Sequence, residues 1–256
     1  MDLGLTDRTF LVPGGTRGLG LAAAAALVAE GANVLVASRS SAHVDEAVAT
    51  LGERASGLVS DITDPETPAT LIAAARDRFG RLDGAFVSHG GPPSGAASEL
   101  DDDQLREALE LATVAPIRMV REVAAALDAG GSIVVLTSSS SIQPIPGLAS
   151  SNVARPAVWG YVRSLADEVA PRGIRCNALL PGRFATERVV EIEADAAATS
   201  GRTPEEVRRA YEEGVPLRRI GRPEELGRVA AFLLSDAASY VTGSAWRVDG
   251  GTVRGL

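Results

Sequence analysis

The stretch VPGGTRGLG, residues 12–20, decides the fold that we expect for this 256-residue chain. An apolar run precedes it, and the residues from 18 to 30 after it are typical of a helix. Glycines at such a point let the chain turn sharply, let its backbone approach a pyrophosphate and let the helix pack closely. The helix N-terminus then presents free N–H groups to phosphates. The segment therefore predicts a dinucleotide site formed by Gly14, Thr16, Arg17, Gly18, Leu19 and Gly20.

Short apolar segments alternate with longer helical ones along the chain. The predicted strands are residues 9–14, 33–38, 55–60, 83–88, 131–138, 174–182 and 245–251. The predicted helices are residues 18–30, 42–53, 65–79, 101–128 and 152–170. Strands that are apolar on both faces, each followed by a helix, are typical of a parallel sheet covered on both sides. We therefore expect a single α/β domain, residues 1–256, with a Rossmann-like, doubly wound parallel sheet of about seven strands.

Residues 183–222 interrupt this alternation, because they are charged, helical and punctuated by glycine and proline. The segment follows the carboxyl end of the sixth predicted strand, where ligands bind in such sheets. A solvated surface insertion would have the same composition. We expect instead a mobile lid over the ligand crevice.

Composition argues against several kinds of protein and site. Hydrophobic residues make up 45% of the chain, enough for a sizeable core, and the formal net charge of −8 builds no basic face for nucleic acid. All 25 basic residues counted as Lys+Arg are arginine, which removes Schiff-base chemistry and a P-loop lysine. Two histidines and the single Cys176 give neither a disulfide nor an ordinary zinc site. We expect no metal, although a carboxylate-bound Mg²⁺ stays open without a motif to indicate it.

The residues after the second predicted strand, ASRSS at 37–41, indicate which dinucleotide binds. An NAD-specific site usually has an acidic residue here, which accepts a hydrogen bond from the ribose 2′-hydroxyl. This chain has Ser38, Arg39 and Ser40 instead, and Arg17 lies in the glycine-rich turn. Arginines and hydroxyl groups suit a 2′-phosphate through charge-assisted hydrogen bonds. Unless these arginines are simply solvated, the sequence predicts a preference for NADP(H) over NAD(H).

Together with further segments, these features resemble the short-chain dehydrogenase/reductase (SDR) family over nearly the whole chain. The segments that carry the resemblance are VSDITD at 59–64, SHGG at 88–91, PGRFAT at 181–186 and the ending at 219–251. SHGG stands where the family has Asn-Asn-Ala-Gly, and PGRFAT matches its Pro-Gly-x-x-x-Thr pattern. The resemblance implies these cofactor contacts: Asp61 and Ile62 at the adenine, and Gly90, Pro181, Gly182 and Thr186.

In its catalytic residues, the chain resembles an atypical branch that lacks the family's Tyr-x-x-x-Lys pair. The family's serine is retained as Ser138, but Ser151 stands at the tyrosine position and Arg155 at the lysine position. An aliphatic hydroxyl is a weaker acid than a phenol, and arginine is effectively never deprotonated. Arg155 could still hold the nicotinamide ribose and supply positive charge. The family's asparagine position falls near Glu110, and Pro156 is expected to make the helix begin late or kink.

Reduction of a carbonyl group would then need another proton donor. His89 is the best candidate, because it lies at the end of a predicted strand and the unperturbed pKa of histidine, about 6.5, suits acid–base work. Its ring could equally be a packing group. Tyr211 in the lid segment is a weaker candidate, and the hydroxyls of residues 138–141 could orient a carbonyl.

Three functions follow from these observations. The first is an NADP(H)-dependent carbonyl or alcohol oxidoreductase, similar to 3-oxoacyl reductases, with an altered active site. The second is an NADP(H)-binding protein without turnover, such as a sensor, and the third is a non-redox enzyme. The resemblance implies a small-molecule substrate and a homodimer or homotetramer. We expect no nucleic-acid or membrane partner, because the longest apolar run, residues 19–29, is too short to span a bilayer, and we expect a cytoplasmic location.

Overall fold

The computed structural model describes residues 2–255, which contain a sheet of seven strands. The strands are β1 (Thr9–Pro13), β2 (Asn33–Ser38), β3 (Ala55–Val59), β4 (Gly84–Val87), β5 (Ser132–Leu136), β6 (Arg175–Pro181) and β7 (Ala245–Val248). All neighbours pair in parallel, in the order β3-β2-β1-β4-β5-β6-β7. The strand order reverses between β1 and β4, which opens a crevice at the carboxyl ends of the strands. The predicted Rossmann-like α/β fold is confirmed.

Helices cover both faces of this sheet. Within residues 2–255 the α-helices are α1 (Gly18–Ala29), α2 (Ser41–Leu51), α3 (Thr67–Phe79), α4 (Asp102–Leu109), α5 (Ala115–Ala126), α6 (Ala149–Val169), α7 (Glu187–Ser200), α8 (Pro204–Gly214) and α9 (Pro223–Leu234). None of these helices is both long and apolar enough to cross a membrane.

Both faces of the sheet are apolar because alternate residues of each strand point to opposite sides. In β1, Leu11 packs in the core under α3, α5 and α6, whereas Phe10 and Val12 pack in the core under α1, α2 and α9. Cys176 is fully buried in the first of these cores. This burial raises the pKa of its thiol to about 12. A thiol of this kind serves packing rather than chemistry.

The helix α3 begins later than its sequence predicts. Pro65 is outside the helix, and Pro68 occupies the first turn instead. The hydroxyl of Thr67 donates to the carbonyl of Asp61 at 2.6 Å and so ties the start of α3 to the end of β3. A proline suits either start, because the first helical N–H groups have no partner within the helix.

The helix α6 corrects the expectation of a late start. It begins at Ala149, three positions before the predicted start at 152, and continues through Pro156. The side-chain amide of Asn152 bonds both the N–H and the carbonyl of Ile145, each at 2.9 Å, and so holds the approaching loop against the first turn. The φ of a proline is compatible with a helix, but a proline lacks one N–H donor. The packing of this buried helix outweighs the loss of that hydrogen bond. Residues 151 and 155 therefore lie on one continuous helix.

A π turn, Glu110–Val114, divides the helix predicted for residues 101–128 into α4 and α5. The N–H of Ala115 donates to the carbonyl of Glu110, five residues earlier, as a π turn requires. Pro116 follows at once and cannot donate, which interrupts the regular α pattern here. The turn places Glu110 on the wall of the crevice, where its carboxylate lies 3.0 Å from Nη2 of Arg118.

Candidate active site

The crevice at the carboxyl ends of the strands has a volume of about 1490 Å³. Ligand pockets for single small molecules are usually about 300–1,000 Å³, so this space is large enough for a dinucleotide and a second compound. Gly20 is the one predicted site residue that does not line it. Those that do are Gly14, Thr16, Arg17, Gly18, Leu19, Ser38, Arg39, Ser40, Asp61, Ile62, His89, Gly90, Ser138, Ser151, Arg155, Pro181, Gly182 and Thr186.

The glycine-rich turn after β1 forms the floor of the crevice. Gly14 and Gly18 have φ values of +68° and +54°, which favour glycine. A Cβ at Gly14 would lie 2.7 Å from the carbonyl oxygen of Ser88, and one at Gly20 would lie 2.1 Å from the oxygen of Gly14. Gly20 is therefore needed to pack α1 against the turn. This leaves a side-chain-free floor of the kind a pyrophosphate requires.

A cationic and hydroxyl-bearing rim follows β2. The hydroxyl of Ser40 caps α2, and that of Ser38 donates to the Ser40 carbonyl at 3.3 Å. The guanidinium of Arg39 is 80% exposed, and its nearest carboxylate, that of Asp61, is 4.0 Å away. Hydrogen bonds from the N–H and hydroxyl of Thr63 hold Asp61 and lower its pKa, with a further contribution from Arg39. The guanidinium of Arg39 is therefore available to bind an anionic group of a ligand.

Arg17 differs from Arg39, because it has a partner. Its Nη1 lies 2.6 Å from the carboxylate of Glu187 at the start of α7, and both side chains are exposed. Exposed pairs of this kind contribute little to stability and exchange readily. Arg17 can therefore leave Glu187 for a phosphate.

The other end of the crevice contains a contact between two residues that lie 66 positions apart. Nη1 of Arg155, on α6, is 2.7 Å from Nε2 of His89, which follows β4. The same nitrogen donates to the carbonyl of Leu136, the last residue of β5, at 3.2 Å. Arg155 is 7% exposed, so its guanidinium lies at the base of the crevice rather than in solvent.

These contacts determine the tautomer of His89. A guanidinium can only donate, so Nε2 must accept and carries no proton. The proton is then on Nδ1, which lies 2.8 Å from the carbonyl of Gly90 and donates to it. Burial, followed by the charge of Arg155, lowers the pKa of His89 well below 6.5. The ring is neutral at pH 7 and directs no proton into the crevice. Proton donation by His89 stays a prediction, and these bonds favour a positioning role.

Arg155 has no carboxylate within 4.0 Å among residues 2–255. Burial and the neighbouring charge of Arg188 lower its pKa to about 10, so it remains protonated at neutral pH. Its Nε is buried and has no hydrogen-bond partner in this part of the chain. The base of the crevice therefore contains a buried positive charge that described side chains do not neutralise.

Three serines form a hydrogen-bonded group in the same part of the chain, and one of them, Ser151, lies one helical turn before Arg155 on α6. The hydroxyl of Ser151 is 3.2 Å from that of Ser140, and the hydroxyl of Ser138 accepts from the N–H of Ser140 at 3.1 Å. Ser138 and Ser151 both line the crevice. Sequence reasoning gave Ser140 only as part of a serine run, but the structure shows that it connects the two predicted catalytic serines.

Residues 183–222 contain α7 and α8, which border the crevice. The buried carboxylate of Glu193 on α7 receives bonds at 2.7 and 3.0 Å from Arg208 on α8 and holds the two helices together. The guanidinium of Arg183 stacks 4.2 Å from the ring centroid of Tyr211, whose hydroxyl accepts from the Arg183 N–H at 3.2 Å. The bond and the stacking fix the position of the Tyr211 ring beside the crevice, and the phenolic O–H keeps its own proton, so proton donation by Tyr211 stays a prediction.

Sequence reasoning missed Arg183 and Arg188 as site residues. Both line the crevice, and Nη2 of Arg188 donates to the carbonyl of Pro92 at 2.8 Å, which joins α7 to the loop after β4. Their position was the available signal, because one lies inside the Pro-Gly-x-x-x-Thr segment and the other two residues beyond it. Among residues 2–255, no group of three or more His, Cys, Asp or Glu side chains could hold a metal ion.

Comparisons with known proteins agree with this architecture. A sequence profile described as enoyl-(acyl carrier protein) reductase matches residues 14–253. Dehydrogenase/reductase SDR family member 4 of Homo sapiens is 33% identical over 255 residues, which are 97% of this chain and 88% of that protein.

Solved structures give the same result. L-Sorbose reductase from Gluconobacter frateurii, complexed with NADPH and L-sorbose, superposes with a TM-score of 0.93 and 27% identity over 100% of both chains. An actinorhodin polyketide ketoreductase with NADPH superposes with a TM-score of 0.92 and 27% sequence identity, over 97% of this chain and 99% of that one. The fold, the glycine-rich turn and the extent of these matches lead to one conclusion: the chain belongs to the short-chain dehydrogenase/reductase family of oxidoreductases.

Proposed function

We propose that this protein is an NADP(H)-dependent oxidoreductase that interconverts small carbonyl compounds and alcohols, with an arginine in place of the family's Tyr and Lys pair. The observation that carries this proposal is the buried guanidinium of Arg155, held by His89 and by Leu136 at the base of the crevice. Ser138 and Ser151 line the same crevice as this guanidinium. Ser151 and Arg155 are then the residues at the family's tyrosine and lysine positions.

The preference for NADP(H) rests on the rim after β2. That rim has no acidic residue to accept from a ribose 2′-hydroxyl, and it has a largely free guanidinium at Arg39 with the hydroxyls of Ser38 and Ser40. A 2′-phosphate would receive charge-assisted bonds from Arg39, and from Arg17 once that residue leaves Glu187. Both solved neighbours named above were crystallised with NADPH.

Other predicted contacts line the same wall, so a dinucleotide can lie across the crevice. All six residues line the crevice. By the family resemblance, Asp61 and Ile62 would contact the adenine, and Gly90, Pro181, Gly182 and Thr186 would contact the rest of the cofactor. A Cβ at Gly182 would lie 2.9 Å from the backbone of Asp249, whereas one at Gly90 would meet nothing within 4 Å. Gly90 thus has open space beside it, and Gly182 serves local packing.

The chemistry follows from charge rather than from an acidic side chain. When bound, NADPH would supply a hydride to the carbonyl carbon and leave as NADP⁺. Arg155 stabilises the negative charge that develops on the carbonyl oxygen, in a buried place where a fixed cation acts strongly. Ser138 and Ser151 orient the carbonyl, and water delivers the proton that completes the alcohol. His89 acts as a positioning residue, because its Nε2 fixes the guanidinium.

We also propose that residues 183–222 close over the substrate. The bond from Arg188 to Pro92 joins α7 to the loop after β4, so both walls of the crevice would move together. A homodimer or homotetramer remains our proposal for the assembly. The family assembles through the helices after the fourth and fifth strands, and exposed Val114, between α4 and α5, and Val153, on α6, support the same arrangement here.

Titration of the purified protein with NADPH and NADH, followed by a screen of carbonyl compounds, tests the proposal. We expect tighter binding of NADPH and reduction of at least one class of carbonyl compound. Binding of NADPH without any turnover would instead support a sensor. Failure of both cofactors to bind would overturn the proposal and leave a non-redox use of the crevice.

A further inference from the structure

Arg155 uses only part of its hydrogen-bonding capacity. A guanidinium has five N–H donors, and the two on Nη1 are directed to His89 and Leu136. Within residues 2–255, every side-chain hydrogen bond of Arg155 comes from Nη1. The nitrogens Nε and Nη2 form the lateral edge of the group, and Nε is buried without a partner. This edge presents two parallel N–H groups, the geometry that a carboxylate accepts in bidentate fashion.

The surroundings of Arg155 favour the binding of an anion. The groups that face it are the neutral ring of His89, a backbone carbonyl and the like charge of Arg188. The carboxylate closest to Arg188, that of Glu191, lies 3.1 Å from its Nη1 and is mostly exposed. A buried charge without an opposite charge is unfavourable, and a bound anion would relieve this. The phosphates of a dinucleotide would bind elsewhere, at the glycine-rich turn and at Arg39, so the anion at Arg155 would come from another compound.

We propose that the lateral edge of Arg155 binds the carboxylate of the substrate, so that the enzyme acts on small oxo acids rather than on neutral ketones or sugars. This inference rests on the proposed function, because it names the substrate class of the same crevice. A 2-oxo acid fits best, since its carboxylate and reacting carbonyl are adjacent and Ser151 lies one helical turn before Arg155 on α6. The Nε–H and one Nη2–H would hold the carboxylate, and the second Nη2–H would remain for the carbonyl oxygen.

Calorimetric titration of oxo acids, each beside its methyl ester, tests this proposal. The probes are pyruvate, 2-oxooctanoate and phenylglyoxylate, measured against the protein alone and against its complex with NADP⁺, which allows no reduction. We expect at least one acid to bind more tightly than its ester by about tenfold or more, as a charge-assisted bidentate bond would give. Equal binding of acids and esters, or no binding of any acid, would overturn the proposal.

Variants then locate the effect. Arg155→Met should abolish the preference for acids, and Arg155→Lys should reduce it, because lysine keeps the charge but loses the paired donors. Arg106→Gln is the matched control, since Arg106 lines the same crevice but pairs with Asp102 and Asp103, and it should keep the preference. A preference that persists in folded Arg155→Met would overturn the proposal. If Arg155→Met fails to fold, the test is the acid-to-ester ratio of affinities in the native protein compared with that in Arg155→Lys. An equal ratio in the two proteins would then overturn the proposal.

The cofactor titration separates this inference from the function on which it rests. NADPH binding with no preference for acids would overturn only the substrate assignment. If Arg155→Met lost affinity for NADPH and not for acids, the anion bound by Arg155 would be a phosphate of the cofactor, and the assignment would be wrong. If NADPH failed to bind the native protein, the proposed function would fail, whatever the acids do.

Discussion

Replacement of Arg39 by alanine should weaken the binding of NADPH and leave that of NADH nearly unchanged. The reason is the state of this side chain before any ligand binds. Arg39 is 80% exposed and lies 4.0 Å from the carboxylate of Asp61, so its existing ion pair contributes about 0–1 kcal/mol. A charge-assisted hydrogen bond to a 2′-phosphate contributes about 1.5–3 kcal/mol. The difference, about 0.5–3 kcal/mol, corresponds to a loss of about 2- to 150-fold in affinity.

The assay is a fluorescence titration of each reduced cofactor at constant ionic strength. Arg54→Ala is a suitable control, because Arg54 is also a partly exposed arginine paired with an aspartate, Asp7 at 2.9 Å, but lies outside the crevice. Higher salt should narrow the gap between NADPH and NADH in the native protein, since the contact is close to solvent. An equal loss of both cofactors in Arg39→Ala would show that the residue shapes the pocket rather than reads the phosphate. No loss of either would show that Arg39 is only solvated.

Three further predictions concern other parts of the chain. The double change Ser151→Tyr with Arg155→Lys should create or raise carbonyl reductase activity in a substrate screen, because α6 is continuous through both positions; an unchanged rate would mean that the crevice suits a different chemistry. Because the folded pKa of His89 is depressed, the unfolded chain binds the proton first, so stability should fall by up to about 1.4 kcal/mol per pH unit as pH drops below about 6.5. Urea unfolding between pH 7 and 5 measures this, and His89→Gln should remove that part of the slope. Gly20→Ala should destabilise the fold and abolish cofactor binding, because the new Cβ would lie 2.1 Å from a backbone oxygen. Gly160→Ala is the contrast: Gly160 lies on α6, where a Cβ would meet nothing within 4 Å, so thermal melts should show a stabilisation of about 0.5–1 kcal/mol.

The sequence predicted the fold because the signals for it are local. The glycine spacing from 14 to 20 and the apolar runs of β1, β2 and β5 each depend on a few adjacent residues. The boundaries of helices were less predictable, because they depend on side chains in other segments. The start of α6 at Ala149, for example, rests on bonds between Asn152 and Ile145 across a loop.

The site was predictable only as a set of residues, not as a network. His89 and Arg155 were both candidates, but for separate roles, and no periodicity relates two positions 66 residues apart. Their contact changes the reading of each: the histidine accepts a hydrogen bond, and the arginine is held in place. The π turn at Glu110–Val114 was missed for the same reason, because an insertion of one residue leaves helical composition unchanged.

The arginine at position 155, which we propose as the counterpart of the family's lysine, has a physical consequence that a lysine would not have. A lysine ammonium can lose its proton when buried, and so can remove its own charge, whereas a guanidinium whose pKa is about 10 remains charged throughout the physiological range. A fold that keeps such a group in its interior is therefore less stable without an anion than with one. Ligand binding and stability are linked in that case, because an anion that binds only the folded state raises the free energy of unfolding. Oxo acids that occupy Arg155 should thus raise the melting temperature of the native protein more than their esters do. In Arg155→Met the acids and esters should act alike, and a difference that survives there would place the anion elsewhere in the crevice.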